Sequence, residues 1–339
     1  MTAARTPREL ASAVRREAEV RPRALFGERA LRRAARAGGP VLLGPYLSEI
    51  GHELEYWIPF MRRELGRLGV APEQVTVMTR GGAALWYRDF AANELDILSL
   101  LPPERYLPAL EARWGRAGDL KMLRWDRFDR ELVARARDRL GDLTVAHPSL
   151  MFTRLRGLWY KGVPLDELWP RLEFRPLEVE PQPGLPRDYV AVKAYFNECL
   201  PAEEPNRAFL RRTLETLAGH MDVVLLSTGL LVDDHEEWAA SHERVHPIEQ
   251  LLRPEDNLAV QTRIVAGARG LVATYGGFSY LGPLLGVPTL GFLEIEQTMP
   301  IHLEVIRRAV PGADYEQVKA GDDAAVRAFV SRVRAAAGS

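Results

Sequence analysis

Two short stretches hold the residues best suited to chemistry. In the first, Glu49-Ile50-Gly51-His52-Glu53, a histidine and a carboxylate follow a glycine. Either His52 or Glu53 could take a proton from a hydroxyl, because a general base needs reach and a pKa tuned by its site. Glu53 could instead serve only the start of the helix that follows. In the second, Thr274-Tyr275-Gly276-Gly277-Phe278-Ser279-Tyr280, two glycines stand at a strand-to-helix junction. They remove side chains where a ligand would approach, and the unpaired first-turn N–H groups and helix dipole favour an anion. That is a seat for a phosphate or diphosphate; the alternative is a tight connection in which glycine serves only the turn.

Other residues could extend either site. Arg80-Gly81-Gly82 offers a cation beside free backbone, suited to a phosphate or an acidic acceptor. Lys193 interrupts an apolar strand, where a buried ammonium must be paired or point into a site. Thr228-Gly229 repeats the small-residue pattern at a strand end. Asn257 and Gln261, one helical turn apart, could read a nucleoside or cap their helix. Trp86 and Tyr87, close behind the Arg80 loop, could stack on a sugar acceptor, whereas Trp57 falls at core spacing with Leu54 and Met61. Asp233-Asp234-His235 has the residue types of a metal site but no second cluster at ligand spacing, so a surface turn or cap is expected. His302 has no identifiable partner, and a structural role is expected for it.

These residues need strands and helices to position them. Pro40 to Gly44, Val75 to Met78 and Leu143 to Ala146 have buried-strand patterns, with a helix from Glu53 to Leu68 kinked or restarted at Pro59. Residues 83 to 140 read mostly as helix. A second run of the same grammar places strands at Tyr189 to Phe196, Val223 to Leu226, Leu271 to Ala273 and Thr289 to Leu293. Its helices are expected at Asn206 to Leu217, Leu258 to Ala268 and Tyr280 to Leu285. The expected class is α/β, with two Rossmann-like domains facing each other across a cleft and ligands at the carboxyl ends of the strands. The division is a basic helical extension over 1–39, a first domain over 40–175, a proline-rich linker over 176–188, a second domain over 189–322 and a terminal helix over 323–339.

Bulk properties narrow the class. At 339 residues, 47% hydrophobic and 27% charged, the chain can bury two cores. A formal net charge of -1 argues against a nucleic-acid partner. Cys199, the only cysteine, forms no intrachain disulfide and suits a reducing compartment. Neither a membrane-spanning run nor a signal-peptide core is legible, so a cytoplasmic location is expected. Residues 1–39 carry ten arginines against four glutamates. Such a helix could touch an anionic membrane or an acidic partner; packing of its Leu and Ala face on the first domain is the preferred expectation.

The run Thr274 to Leu281, followed by Leu284-Leu285-Gly286-Val287-Pro288-Thr289, resembles the donor-phosphate segment of GT-B-type glycosyltransferases, in particular the heptosyltransferase pattern D-T-G-x-x-H-L-x-A-A-L-x-x-P-T. Ala273 stands where that pattern has an acidic residue and Tyr280 where it has histidine. Gly51-His52-Glu53 with Pro59 resembles the family's Gly-Asp-(x)n-Pro loop, whose aspartate is the base; counting from the glycine selects His52 and counting from the proline selects Glu53, and Glu53, a carboxylate like the family's base, is the first choice with His52 second. The resemblance covers mainly residues 41–60 and 258–292. It implies an inverting, metal-independent glycosyltransferase without a cofactor, acting on a nucleotide-diphosphate sugar and a hydroxyl acceptor, in a setting such as polysaccharide assembly. Donor contacts would come from Lys193, Thr228, Gly229, Asn257, Gln261, Thr274, Gly276, Gly277, Ser279 and Tyr280, with His246 and Ile248 at the nucleobase. Glu49, Gly51, Arg80, Gly81, Gly82, Trp86 and Tyr87 would line the acceptor or phosphate side. Two alternatives stand beside this reading: a nucleotide-sugar epimerase of the same fold, and a non-catalytic nucleotide-binding or scaffold protein.

Overall fold

The computed structural model describes residues 26–117, 122–123, 125–160, 162–197, 199–227, 236–238, 240–294 and 300–337. Residues 26–37 form α1, which buries Leu31 and Ala34 against the first domain, as its apolar face predicts. The first domain then runs β1 (Val41–Leu43), α2 (Ile50–His52), a π-helical segment (Glu53–Trp57), α3 (Ile58–Leu68), β2 (Val75–Thr79), β3 (Asn93–Asp96), α4 (Ile97–Leu100), α5 (Pro103–Ala117), α6 (Arg127–Leu140), β4 (Thr144–Ala146), α7 (Ser149–Tyr160) and α8 (Leu165–Leu168). Its four strands are all parallel, in the order β3-β2-β1-β4.

The second domain runs β5 (Tyr189–Lys193), β6 (Tyr195–Phe196), α9 (Glu204–Ala218), β7 (Asp222–Leu225), β8 (Glu236–Glu237), β9 (Val245–Pro247), α10 (Asn257–Gly267), β10 (Gly270–Thr274), α11 (Gly277–Leu284), β11 (Thr289–Leu293), α12 (Pro300–Ala309), β12 (Tyr315–Lys319) and α13 (Asp323–Ala337). Six of these strands form a parallel sheet in the order β12-β11-β10-β5-β7-β9, while β6 and β8 pair separately and antiparallel. Two Rossmann-like α/β domains are therefore present. Between them, residues 172–188 are irregular and lie along the second domain, where Leu177 N–H bonds to Leu284 C=O and Gln182 N–H to Arg263 C=O.

Strand alternation divides each sheet between two cores. Leu42 and Met78 face α5 and α6 with Phe128 and Leu132, and Val190, Val192, Val272 and Leu290 face α9 and α13 with Phe209 and Phe329. Val41, Leu43, Val75 and Val77 from the first sheet, and Ala191, Val224, Leu271 and Ala273 from the second, join one common cluster with Trp57, Trp86, Leu258 and Leu281 between them. The facing surfaces of the two domains, expected to flank a cleft, are thus joined through shared apolar packing.

Several expected boundaries shift. The expected strand over Tyr189 to Phe196 is two strands, β5 and β6, divided at Ala194. The helix expected from Tyr280 begins at Gly277, and the one expected from Glu53 begins at Ile50. Proline at 59 has no N–H to donate, and the turn before it closes in the wider register, with Ile58 N–H bonded to Glu53 C=O. Of four strands not foreseen, β8 pairs only with β6, and β3, β9 and β12 are edges of the parallel sheets. Their sequences NELD, VHP and YEQVK lack an apolar run because an edge strand is only partly covered.

Candidate functional site

The carboxyl end of β1 and the start of α2 lead directly to the contact between the domains. Gly44 N–H bonds to Ala146 C=O and Tyr46 N–H to Met78 C=O, carrying the chain out over β2 and β4. Tyr46 Oη donates to Glu49 C=O at 3.0 Å, fixing the turn that starts α2. Gly51 then packs on α11. A Cβ on Gly277 would lie 2.7 Å from both Gly51 N and Ile50 Cβ, so glycine is required by the approach of the opposing chain. The presumed phosphate seat and the loop bearing His52 are in backbone contact. Gly81 behaves in the same way: its carbonyl accepts the N–H groups of Leu258 and Ala259 at the start of α10, and a Cβ on it would meet Asn257 Nδ2 at 2.7 Å. Both glycine loops expected to receive a ligand receive the other domain in this structure.

Glu53 and Glu55 lie on a segment buried all round, with Leu54, Tyr56 and Trp57 also out of water. Two positions apart on a helical segment, the two glutamates face roughly opposite sides. Glu53 faces its own sheet. It accepts from Thr79 Oγ1 at 2.8 Å, Tyr87 Oη at 2.6 Å and Arg80 Nη1 at 3.4 Å. Arg80 Nη2 donates onward to Ser48 C=O at 2.7 Å. Burial pushes the Glu53 pKa up against the opposing pull of Arg80. Its oxygens are taken by its own domain, and it is 0% exposed. Trp86 and Tyr87, expected beside an acceptor, are likewise core residues: Tyr87 is spent on Glu53, and Trp86 Nε1 donates to Thr262 Oγ1 at 3.1 Å.

Glu55 faces the second domain. Its Oε2 lies 2.8 Å from His302 Nδ1 on α12, and Tyr56 Oη lies 2.8 Å from the same nitrogen. Burial lowers the His302 pKa, but Glu55 outweighs it, and the net shift is upward. With the ring protonated, Nδ1–H is shared between the carboxylate and the tyrosine oxygen. Glu55 is itself raised, chiefly by burial. His302, for which no partner was foreseen, therefore pairs with a carboxylate in the other domain.

His52 stands beside this pair, its ring 5.2 Å from His302, 5.7 Å from Tyr56 and 5.7 Å from Trp159. His52 Nδ1 lies 3.0 Å from Glu49 Oε2, and its side chain is 18% exposed. Of the two base candidates it is the one with a carboxylate on one nitrogen and a partly exposed side chain. Tyr280, which also contacts Gly51, completes the group, its ring 6.4 Å from His302.

The remaining predicted residues divide. Ser279 bonds Gly276 at the α11 start and lies 3.2 Å from Tyr315 Oη. Thr274 Oγ1 donates to Tyr195 C=O and accepts its N–H. Lys193 is buried, with Nζ donating to Leu226 C=O at 2.8 Å and lying 5.5 Å from the Phe278 ring. Asn257 and Gln261 are buried on α10 and touch each other at 3.4 Å. Gly82 N–H bonds to Asp96, whose carboxyl burial pushes up to about 6. His246 pairs with Asp222 at the opening of β7, the end of the sheet away from this group, and Ile248 is buried in the shared core. Thr228, Gly229 and Asp233 to His235 lie outside the described residues. Among the described residues no set of three His, Cys, Asp or Glu is placed to hold a metal ion, and no helix is long and apolar enough to cross a membrane.

Neither a family profile nor a curated protein matches this sequence. Among solved structures, similarity extends to E. coli ADP-heptose LPS heptosyltransferase II at 12% identity, over 89% of this chain and 100% of that one, with a TM-score of 0.48. E. coli heptosyltransferase WaaC with ADP is similar at 13% identity, over 87% of this chain and 99% of that one, TM-score 0.39. The iron-containing dodecameric glycosyltransferase TibC of enterotoxigenic E. coli H10407 is similar at 11% identity and TM-score 0.42; 75% of this chain is covered, and it spans only 58% of TibC. Two Rossmann-like domains in one chain form a GT-B-like architecture. Similarities of this size fix neither family nor substrate.

Proposed function

We propose that this protein transfers a sugar from a nucleotide-diphosphate donor to an acceptor hydroxyl, at the junction where α2 meets α11. The observation that carries this reading is the backbone contact of Gly51 with Gly277, which sets the His52 loop against the helix start suited to a diphosphate. His52 is the base. Glu49 holds Nδ1–H, leaving Nε2 to take the proton as the acceptor oxygen bonds to the anomeric carbon. The bond from that carbon to the diphosphate oxygen breaks on the opposite side, inverting the centre, and the departing charge falls at the α11 N-terminus. The reaction uses no metal ion. Donor entry requires Ile50 and Gly51 to draw back from Gly277, so donor binding and base placement are coupled through one loop.

A thermal-shift screen against UDP, GDP, ADP, CMP and dTDP and their common sugars tests the binding half. His52→Gln tests the chemistry, with an expected loss of about 10²–10⁴-fold in turnover and nucleotide binding retained. Turnover unchanged in His52→Gln would sink the assignment of the base. Nucleotide binding with no turnover in wild type would leave a binding protein.

A second reading, a nucleotide-sugar epimerase, is favoured by one arrangement: His52 and His302, 5.2 Å apart, each with its own carboxylate, form two acid–base couples between the domains. Chromatography of products formed from donor alone, without acceptor, separates the two readings. An isomerised nucleotide sugar selects the epimerase.

A further inference from the structure

Among the surface helices, α1 stands apart in its charges. Leu31 and Ala34 are buried against the first domain, whereas Arg29, Arg32, Arg33 and Arg36 are all exposed. Spacings of three and four residues line the arginines up on one side of the helix, opposite Leu31 and Ala34. Phe26, three residues before Arg29 and seven before Arg33, falls on that same side and is 68% exposed. The one carboxylate of α1, Glu28, is turned aside to Arg154 of α7. Among the described residues no ion pair holds any of the four arginines. Other helices behave differently: α3, α6 and α9 pair surface arginines with acids of their own, Arg67 with Glu64, Arg135 with Glu131 and Arg211 with Glu204. On α1, Arg29 with Arg33 and Arg32 with Arg36 are like charges one turn apart, an arrangement that weakens a helix. A face that had only to be solvated would carry both signs.

We propose that this face of α1 docks on an anionic lipid surface, with the four arginines over the headgroups and the Phe26 ring entering between them. The helix lies along the first domain with its charges pointing away from it, spread over about 10 Å of its axis, so a flat plane of negative charge meets all four at once. An exposed aromatic ring gains by leaving water, which a bilayer interface provides and a phosphate backbone does not. Residues 1–39 carry ten arginines against four glutamates while the whole chain stands at -1, so the remainder is acidic. A long polyanion would meet that acidic remainder, whereas a membrane touches only the docked face. With a single aromatic anchor the attachment is electrostatic and reversible. Docking at α1 does not depend on the chemistry at the junction of α2 and α11.

The test is sedimentation of the full-length protein with vesicles of phosphatidylcholine alone, and of phosphatidylcholine with one-third phosphatidylserine, at low and high salt. Wild type should bind the anionic vesicles, leave them at high salt and ignore the neutral ones. R29Q/R32Q/R33Q/R36Q should weaken binding about 100-fold or more, and R29K/R32K/R33K/R36K should hold it within about 3-fold. Phe26→Ser should weaken it about 3–10-fold. Gln matches Arg in helix propensity, and relief of the repulsion should leave the urea midpoint unchanged or raised. Salt release of wild type and retention by the Lys variant read the same charges without removing them. Anionic vesicles bound equally by wild type and the Gln variant overturn the proposal, as does a wild type that binds neither vesicle. A wild type that binds poly(U) as tightly as the anionic vesicles, with Phe26→Ser unchanged on both, makes the face a general polyanion site and overturns the membrane assignment.

Discussion

Glu53 and Glu55 differ by two positions and by everything around them. The side of the π-helical segment that carries Glu53 looks into its own domain, where Thr79, Tyr87 and Arg80 close every acceptor. The side that carries Glu55 looks into the other domain, where one oxygen meets His302 and the other has no hydrogen-bond partner among the described residues. Both carboxylates are desolvated, so burial alone does not distinguish a structural acid from one at a binding surface. Completeness of pairing does: Glu53 is bonded on both oxygens and Glu55 on one.

The sharpest way to break the comparison is to remove Glu53. Glu53→Ala strands the Arg80 guanidinium in the core, and a loss of about 3–5 kcal/mol in urea unfolding is expected. A loss no larger than that of Glu55→Gln would erase the distinction. Next in size, Gly277→Ala forces a methyl group into the Gly51 backbone and should cost about 1–3 kcal/mol through overpacking. The midpoint of unfolding reports it, and an unchanged midpoint would show that the two domains part freely there.

A gentler effect reads the Glu55–His302 pair by pH. Glu55 and His302 both have raised pKa values in the folded protein, so the folded state holds their protons more tightly than the unfolded chain does. Stability from His302 is present in full below the unfolded histidine pKa of about 6.5 and is lost as pH rises through its higher folded value. Unfolding free energy measured from pH 6 upward should therefore decline more steeply in wild type than in His302→Asn; parallel curves would remove the pair from the account. The smallest expected change is Tyr275→Phe, about 0.5–1.5 kcal/mol, because its hydroxyl meets only the neutral Tyr280. Tyr87→Phe, whose hydroxyl bonds a carboxylate, should cost about 1.5–3 kcal/mol. Equal costs for the two tyrosines would show that a carboxylate partner adds nothing over a neutral one.

Much of the architecture is local and was legible in the residue pattern. The terminal helix Asp323–Ala337 and the α10 span follow from 3.6-residue periodicity, and the central strands β1, β5 and β10 follow from short apolar runs between turn residues. Edge strands such as β3 escaped the same reading because half-covered backbone tolerates Asn, Glu and Asp. At the site, the types were visible and the partners were not. Gly277 announces a place that must have no side chain, but whether a phosphate or another backbone comes there depends on how the two sheets meet, and here Gly51 comes. His302 and Glu55 are 247 residues apart, and nothing in the sequence around either names the other. Periodicity reports which face of a helix avoids water. Glu53 and Glu55 lie on a helix that avoids water on both faces, and only the packing of two domains around it decided which carboxylate was satisfied and which was left with an open oxygen.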